Sequence, residues 1–234
     1  MDYIRYFLNN KRIISFGFIL TFFSSFGQTF LLSLYLPKIL SNFQLTNSSF
    51  GGLYAFATVG SSILLVYIGK LIDHMDLRKY AIYSALLLMV SCLLLAFSMN
   101  IVMVFVILLG LRLAGQGLMS HISKTTVSKH FEDGRGTALS ITSLGYAGGE
   151  AIFPAIVSLL IAHIGWRYSL VSNSAAVGLV LIPFIWFTLA KSDTTEKVAT
   201  ESKENDDTFS RKFLFKEKRF YLLVLNTVVT PFLL

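Results

Sequence analysis

Long apolar stretches separated by short polar segments dominate the sequence. Asp, Glu, Lys and Arg are absent from four of these stretches, which are 13–37, 39–69, 80–111 and 168–190. In a fifth stretch, 136–166, the one residue of these four types is Glu150. An apolar stretch of about 18 residues or more can cross a membrane as a single helix. The pattern therefore predicts a protein built from membrane-spanning helices.

The lengths of the stretches predict six spans, which we number 1–6 in chain order. The stretch 80–111 is long enough for two helices that turn at Met99–Asn100, and the second span is expected to begin near Phe50. The apolar stretch 220–234 is shorter than the roughly 20 residues that a span needs. We interpret it as the start of a seventh helix inside which the chain stops.

Composition supports a membrane protein rather than a soluble domain. The 234 residues are 54% hydrophobic and 14% charged, whereas soluble domains carry about 25% charged residues. The mean hydropathy is +0.67. With Cys92 as the single cysteine, neither an internal disulfide nor a cysteine-based metal cluster is possible.

The basic residues predict the orientation of the chain. If the N-terminus is cytoplasmic, 17 of the 20 Lys and Arg residues fall in cytoplasmic segments, and two, Lys38 and Arg167, fall outside. Lys and Arg concentrate in the cytoplasmic loops of membrane proteins. We therefore expect both ends of the chain to be cytoplasmic. The net charge of +7 is then explained by basic residues on the cytoplasmic side of the membrane and does not indicate a nucleic-acid partner.

The polar segment 191–219 divides the chain. We expect a six-helix transmembrane domain at 1–190, a cytoplasmic linker at 191–219 and the truncated seventh helix at 220–234. The linker begins with an acidic part that we expect to be disordered. Its later part interleaves basic and aromatic residues, and two interpretations stay open: it lies on the anionic inner leaflet, or it simply flanks the next span.

A cluster of charge between spans 2 and 3 resembles a family signature. The segment 69–79 reads GKLIDHMDLRK. It is similar to the loop between the second and third helices of the major facilitator superfamily, roughly G-x-L-A-D-R-x-G-R-K, with Asp76 where a glycine is usual. The matching positions that the family uses as a cytoplasmic latch are Gly69, Asp73, Arg78 and Lys79.

Three further segments resemble the same family. RLAGQG at 112–117 is similar to its fourth helix, and GWR at 165–167 is similar to its turn between the fifth and sixth helices. Gly136, Gly145 and Gly149 have the glycine spacing of its antiporter motif. That motif continues with proline where this chain has Glu150, so symport, antiport and uniport all stay open. Small residues four apart also let helices approach closely, which makes Gly145 and Gly149 candidates for helix packing.

The resemblance implies an all-α membrane protein, the N-terminal six-helix half of a twelve-helix major facilitator fold with part of the seventh helix. It implies a secondary active transporter that moves a small solute by alternating access across the plasma membrane, with a bacterial inner membrane as the expected location. Two six-helix halves enclose the site in this family. We therefore expect a missing C-terminal half as a partner, beside the lipid bilayer and the solute.

Two charged residues inside the spans are the candidates for the site. At about 1.5 Å per residue, Arg112 lies roughly 17 Å into span 4, and Glu150 lies roughly 20 Å from the same face in span 5. Charges at that depth are rare and are paired or face a cavity. Either the two form a structural ion pair, or Arg112 binds substrate and Glu150 carries a coupling proton. Gln116, one turn from Arg112, and Gln28 in span 1 are further substrate-binding candidates.

Other functions find less support in the sequence. A membrane enzyme would need an acid–base or metal constellation at one interface, and none is visible, so we expect neither an enzyme nor a cofactor. The four histidines are scattered and do not predict a metal site. The intramembrane arginine favours an anionic solute, and the start of span 5 resembles monocarboxylate-type members. The remaining alternative is a truncated, non-transporting half that acts as a membrane scaffold or assembly partner.

Overall fold

The computed structural model describes residues 10–131 and 133–189, all of which belong to one compact unit. These residues form helices and no strand. The predicted linker 191–219 and the predicted seventh helix 220–234 lie outside the described residues. The orientation of the chain across a membrane stays a prediction.

Five stretches of the described chain are long and apolar enough to cross a membrane: Lys11–Leu32, Asn47–Asp73, Leu77–Ala96, Ile101–His130 and Arg135–Thr188. The last of them is interrupted at Gly165, where the backbone is non-helical (φ 82°, ψ 163°). A positive φ of this kind suits glycine, which has no Cβ. The predicted turn at 165–167 therefore coincides with a real break, and Arg135–Thr188 holds two spans.

Polar side chains cap the N-terminal ends of three helices, two of which are the helices that begin at Asn47 and Ile101. Thr46 accepts a hydrogen bond from the Ser49 backbone N–H (3.1 Å) before the helix Asn47–Ile68. Asn100 accepts one from the Met103 N–H (2.8 Å) before Ile101–Leu111. Such side chains satisfy backbone donors that the first helical turn leaves free. The predicted turn at Met99–Asn100 is confirmed, with Asn100 as the cap.

Span 1 is not the single uninterrupted helix that its apolar stretch predicts. It consists of an α-helix, Lys11–Phe23, a 3₁₀ turn, Ser24–Gly27, and a short α-helix, Thr29–Leu32, with extended backbone at Gln28 (φ −84°, ψ 154°). A separate helix, Leu36–Phe43, follows. The apolar pattern does not reveal this break because the residues around it are as uncharged as the rest.

Span 4 is also irregular. Its α-helix Ile101–Leu111 continues as a π-helical segment, Arg112–Met119, and then as the α-helix Ser120–His130. π-helical turns are rare and occur frequently at functional sites. Span 6 contains a second such segment, Val177–Leu181, before its last helix, Ile182–Thr188.

The irregular parts of spans 1 and 4 touch at two glycines. A Cβ on Gly115 would lie 2.6 Å from the Cα of Gly27, and a Cβ on Gly27 would lie 2.8 Å from the Cα of Gly115. No side chain of any size fits between the two backbones. Backbone contact at small residues is a common way for membrane helices to associate. Here it brings the break at Gln28 beside the π-helical segment.

We expect Gly115→Val to destabilise the protein by about 1–3 kcal/mol, because the added atoms would force spans 1 and 4 apart. Gly52→Val is the matched control, since Gly52 is also helical but nothing lies within 4 Å of its added Cβ. Thermal unfolding in detergent micelles compares the two midpoints. Equal midpoints for the two variants would show that the glycine contact does not hold the spans together.

Candidate functional site

Arg112 is the buried charge around which the candidate site is built. It is only 6% exposed, and it starts the π-helical segment of span 4. Its Nη1 donates a hydrogen bond to the Thr29 hydroxyl (3.0 Å). Thr29 follows the break in span 1, so the contact between Gly27 and Gly115 places this hydroxyl within reach of the guanidinium.

An aromatic side chain completes the surroundings of Arg112. The guanidinium carbon lies 5.0 Å from the centroid of the Tyr54 ring, a distance at which a cation is attracted to the face of the ring. The Tyr54 hydroxyl and the Thr29 hydroxyl form a hydrogen bond of 2.8 Å. Spans 1, 2 and 4 therefore each contribute one side chain to a single polar cluster, Thr29, Tyr54 and Arg112.

No acidic side chain among the described residues neutralises the charge of Arg112. Lys129 and Asp73 form a salt bridge, and Arg112 takes no part in it. The Arg112 Nε is buried and has no hydrogen-bond partner among the described residues. A buried polar atom without a partner is uncommon and costs free energy. An oxyanion at Nε would satisfy both the free donor and the charge. Because Nε is buried, the side chains packed around it must move apart before an oxyanion can reach it.

The two predicted glutamine ligands lie close to this cluster along the chain. Gln28 is the residue of extended backbone directly before Thr29 and is half-buried. Gln116 lies one turn beyond Arg112 and is exposed, as is Thr29. The cluster therefore reaches the surface of the described unit through polar side chains. Substrate binding by Gln28 and Gln116 stays a prediction.

Glu150 is separate from Arg112. Its side chain is exposed in the helix Arg135–Ala176, and no carboxylate of the described residues comes within 4.0 Å of the guanidinium. The alternative of a structural ion pair between the two is thus not found in this structure. Arg112 and Glu150, which the sequence predicts at similar depth, therefore do not pair with each other here. Substrate binding by one and proton coupling by the other stay predictions.

The charged loop between spans 2 and 3 is held by contacts at both ends. Asp73 accepts a hydrogen bond from the Lys129 ammonium at 2.7 Å, which ties the loop to the end of span 4. Both side chains are partly exposed, so the pair contributes on the order of 1 kcal/mol or less. Asp76 caps the helix Leu77–Ala96 by accepting from the Lys79 N–H (2.9 Å).

The other latch candidates have different surroundings. The Arg78 guanidinium carbon lies 3.4 Å from the centroid of the Trp186 ring, so span 3 is pinned to span 6 at this end. Gly69 faces the imidazole of His121, since an added Cβ would lie 3.5 Å from Nε2. A latch role for Gly69, Asp73, Arg78 and Lys79 stays a prediction, because latching requires a second conformation.

Gly145 and Gly149 face span 1. An added Cβ on Gly145 would collide with the Thr21 hydroxyl, and one on Gly149 would collide with the Ser25 hydroxyl. Thr21 also donates to the Thr142 carbonyl (2.8 Å), a hydrogen bond between spans 1 and 5. These contacts hold the two spans close together.

Thr29 and Tyr54 were not among the residues singled out in the sequence. Threonine and tyrosine are common in membrane spans, and neither has a spacing that points to Arg112. Their roles depend on the break at Gln28 and on the crossing of spans 1, 2 and 4. The one available signal was Gln28 itself, whose neighbour along the chain proved to be the direct partner of Arg112.

Comparisons with known proteins agree with this architecture. The family model described as Major Facilitator Superfamily matches residues 17–234. A comparison with curated protein sequences returned no match. The family match extends over most of the chain, and the described helices are the all-α membrane fold that it requires. The chain is a multi-pass membrane protein that belongs to the major facilitator superfamily of transporters.

Proposed function

We propose that the protein is a secondary active transporter of a small organic anion, such as a monocarboxylate, and that Arg112 binds the anionic group. The observation that carries the proposal is that the Arg112 guanidinium is buried and has no acidic partner among the described residues. Its Nε, unpartnered among those residues, adds a donor, although the Arg78 Nε is also buried without a partner there. Charged hydrogen bonds are stronger than neutral ones, and arginine binds carboxylates through two parallel donors. Thr29 and Tyr54 would hold the guanidinium in place for such a contact.

The exposure of polar side chains in and near the cluster supports a second part of the proposal, namely that a second six-helix half covers the site. Thr29 and Gln116 are exposed on the described unit, and so is Glu150. Polar side chains at mid-membrane depth face a cavity or another protein surface rather than lipid. Such a site is completed when a second six-helix half covers it, as in transporters built from two halves. Alternating access would then open the site to one side of the membrane at a time. The same proposal places the protein in the plasma membrane and couples transport to protons.

We expect Arg112→Gln to lower uptake of the anionic solute by roughly tenfold or more, because the charged hydrogen bond is lost. Arg167→Gln is the control, since Arg167 also lies over an aromatic ring, Trp166, but donates to the Ala96 carbonyl. Uptake of monocarboxylates is measured in cells that express the gene with any sequence that follows Leu234. Values are normalised to folded protein in the membrane.

Two outcomes would overturn parts of the proposal. If Arg112→Gln transports normally per folded molecule, Arg112 has a structural role and the site assignment is wrong. If the unmodified protein takes up no solute from a broad panel of anions and neutral compounds, the alternative of a non-transporting scaffold or assembly partner is favoured.

We expect Glu150→Gln to keep solute exchange at equal pH on both sides but to lose the stimulation of uptake by an imposed proton gradient. A neutral amide cannot release the proton that a carboxyl group carries. Glu150→Asp, which keeps the titratable group, is the control. Gradient-driven uptake that survives in Glu150→Gln would remove Glu150 from the coupling step while leaving the assignment of Arg112 untouched.

A further inference from the structure

A second polar site lies away from Arg112, where the end of span 4 meets the start of span 5. A cavity of about 570 Å³ is lined there by Lys124, Thr125, Ser128, Lys129, Leu139 and Ser143. We name it the basic cavity. Five of these six side chains carry a hydrogen-bond donor, namely two ammonium groups and three hydroxyls. No acidic side chain is among the described residues that line it.

The two lysines of the basic cavity have different charge surroundings. Lys129 is 2.7 Å from the Asp73 carboxylate, which offsets its charge. Lys124 forms no salt bridge with any described residue. Its Nζ lies 5.9 Å from the centroid of the Tyr146 ring, and the Tyr146 hydroxyl is hydrogen-bonded to Ser120. Lys124 is therefore an exposed cation at the cavity, without an acidic partner among the described residues.

Lys124 lies near the end of span 4, a position that suits contact with a lipid headgroup. It lies six residues before His130, the last residue of its helix, which at ~1.5 Å per residue is about 9 Å from the helix end. Basic pockets between membrane helices bind the phosphate groups of anionic lipids. Ammonium and hydroxyl donors together suit a tetrahedral oxyanion, whose several oxygens can each accept a hydrogen bond.

We propose that the basic cavity binds a phosphate-type oxyanion, with Lys124 as its charged ligand and the hydroxyls of Thr125, Ser128 and Ser143 as neutral ligands. The oxyanion comes either from the headgroup of an anionic lipid such as phosphatidylglycerol or from a free phosphate compound in solution. The proposal is independent of Arg112 and of the transported solute, because none of its residues belongs to the Thr29, Tyr54 and Arg112 cluster.

The test uses the purified chain in detergent with two probes, phosphatidylglycerol and inorganic phosphate. Native mass spectrometry counts the retained lipid, and equilibrium binding of radiolabelled phosphate measures the free anion. Lys124→Gln is compared with Lys70→Gln as a matched control. The Lys70 Nζ also lies close to a tyrosine ring, 6.0 Å from the centroid of Tyr67, but Lys70 does not line the basic cavity. Thermal unfolding checks that each variant is folded.

We expect Lys124→Gln to weaken binding of one of the probes by about fivefold, the effect of one lysine near an anionic phosphate, while Lys70→Gln leaves it unchanged. Loss of retained phosphatidylglycerol alone identifies the lipid headgroup as the source. Loss of inorganic phosphate alone identifies the free anion. Equal losses in both lysine variants, or no loss in either, would overturn the proposal.

A second variant keeps the test independent of the lysine substitution. Ser143→Leu leaves Lys124 in place but fills part of the cavity and removes one hydroxyl. We expect it to weaken binding of the same probe as Lys124→Gln. If Ser143→Leu is folded and binds that probe as the unmodified chain does, the anion is attracted to the surface charge of Lys124 and the cavity is not its site.

Discussion

The contact between Gly27 and Gly115 is the constraint on which the candidate site depends. Each glycine occupies the space that a Cβ on the other would need. The contact joins the break in span 1 to the π-helical segment of span 4, so two irregular backbones are packed against each other rather than against side chains. Thr29 and Arg112 flank this contact along their chains, and their hydrogen bond follows from it.

The packing of spans 1 and 4 surrounds the buried charge of Arg112. Placing a cation away from water is costly unless it is paired or coordinated. Thr29 and Tyr54 supply a hydroxyl and a ring face, both of which are weaker partners than a carboxylate. Since no described carboxylate is within reach, the site is incomplete with respect to charge. The proposal that an anionic ligand binds there rests on this lack of a described carboxylate.

The sequence predicted much of the architecture because apolar stretches and caps are local signals. The spans and the turn at Met99–Asn100 follow from the lengths of the uncharged stretches. The turn at 165–167 was expected from the resemblance of GWR to the turn between the fifth and sixth helices of the family. Arg112 and Glu150 were also visible, since a charge inside an apolar stretch is conspicuous.

What the sequence did not predict depends on how the spans cross. The break at Gln28 lies in a stretch with no charge to mark it, and the π-helical segment 112–119 has no local signature. The separation of Glu150 from Arg112 could not be read from equal depths, because depth along two helices does not say which faces meet. Tyr54 joined the site only because span 2 passes beside Arg112.

The measurement that tests the central claim most directly is ligand stabilisation of the unmodified protein by pairs of compounds that differ in charge alone. Small monocarboxylates are compared with the amides of the same shape, and thermal unfolding is followed as each compound is titrated. A ligand that binds the folded state raises its stability in proportion to RT ln(1 + [L]/Kd). If the Arg112 guanidinium selects its ligand by charge, at least one carboxylate raises the unfolding midpoint and its amide does not. Equal stabilisation by the carboxylate and its amide would contradict the account.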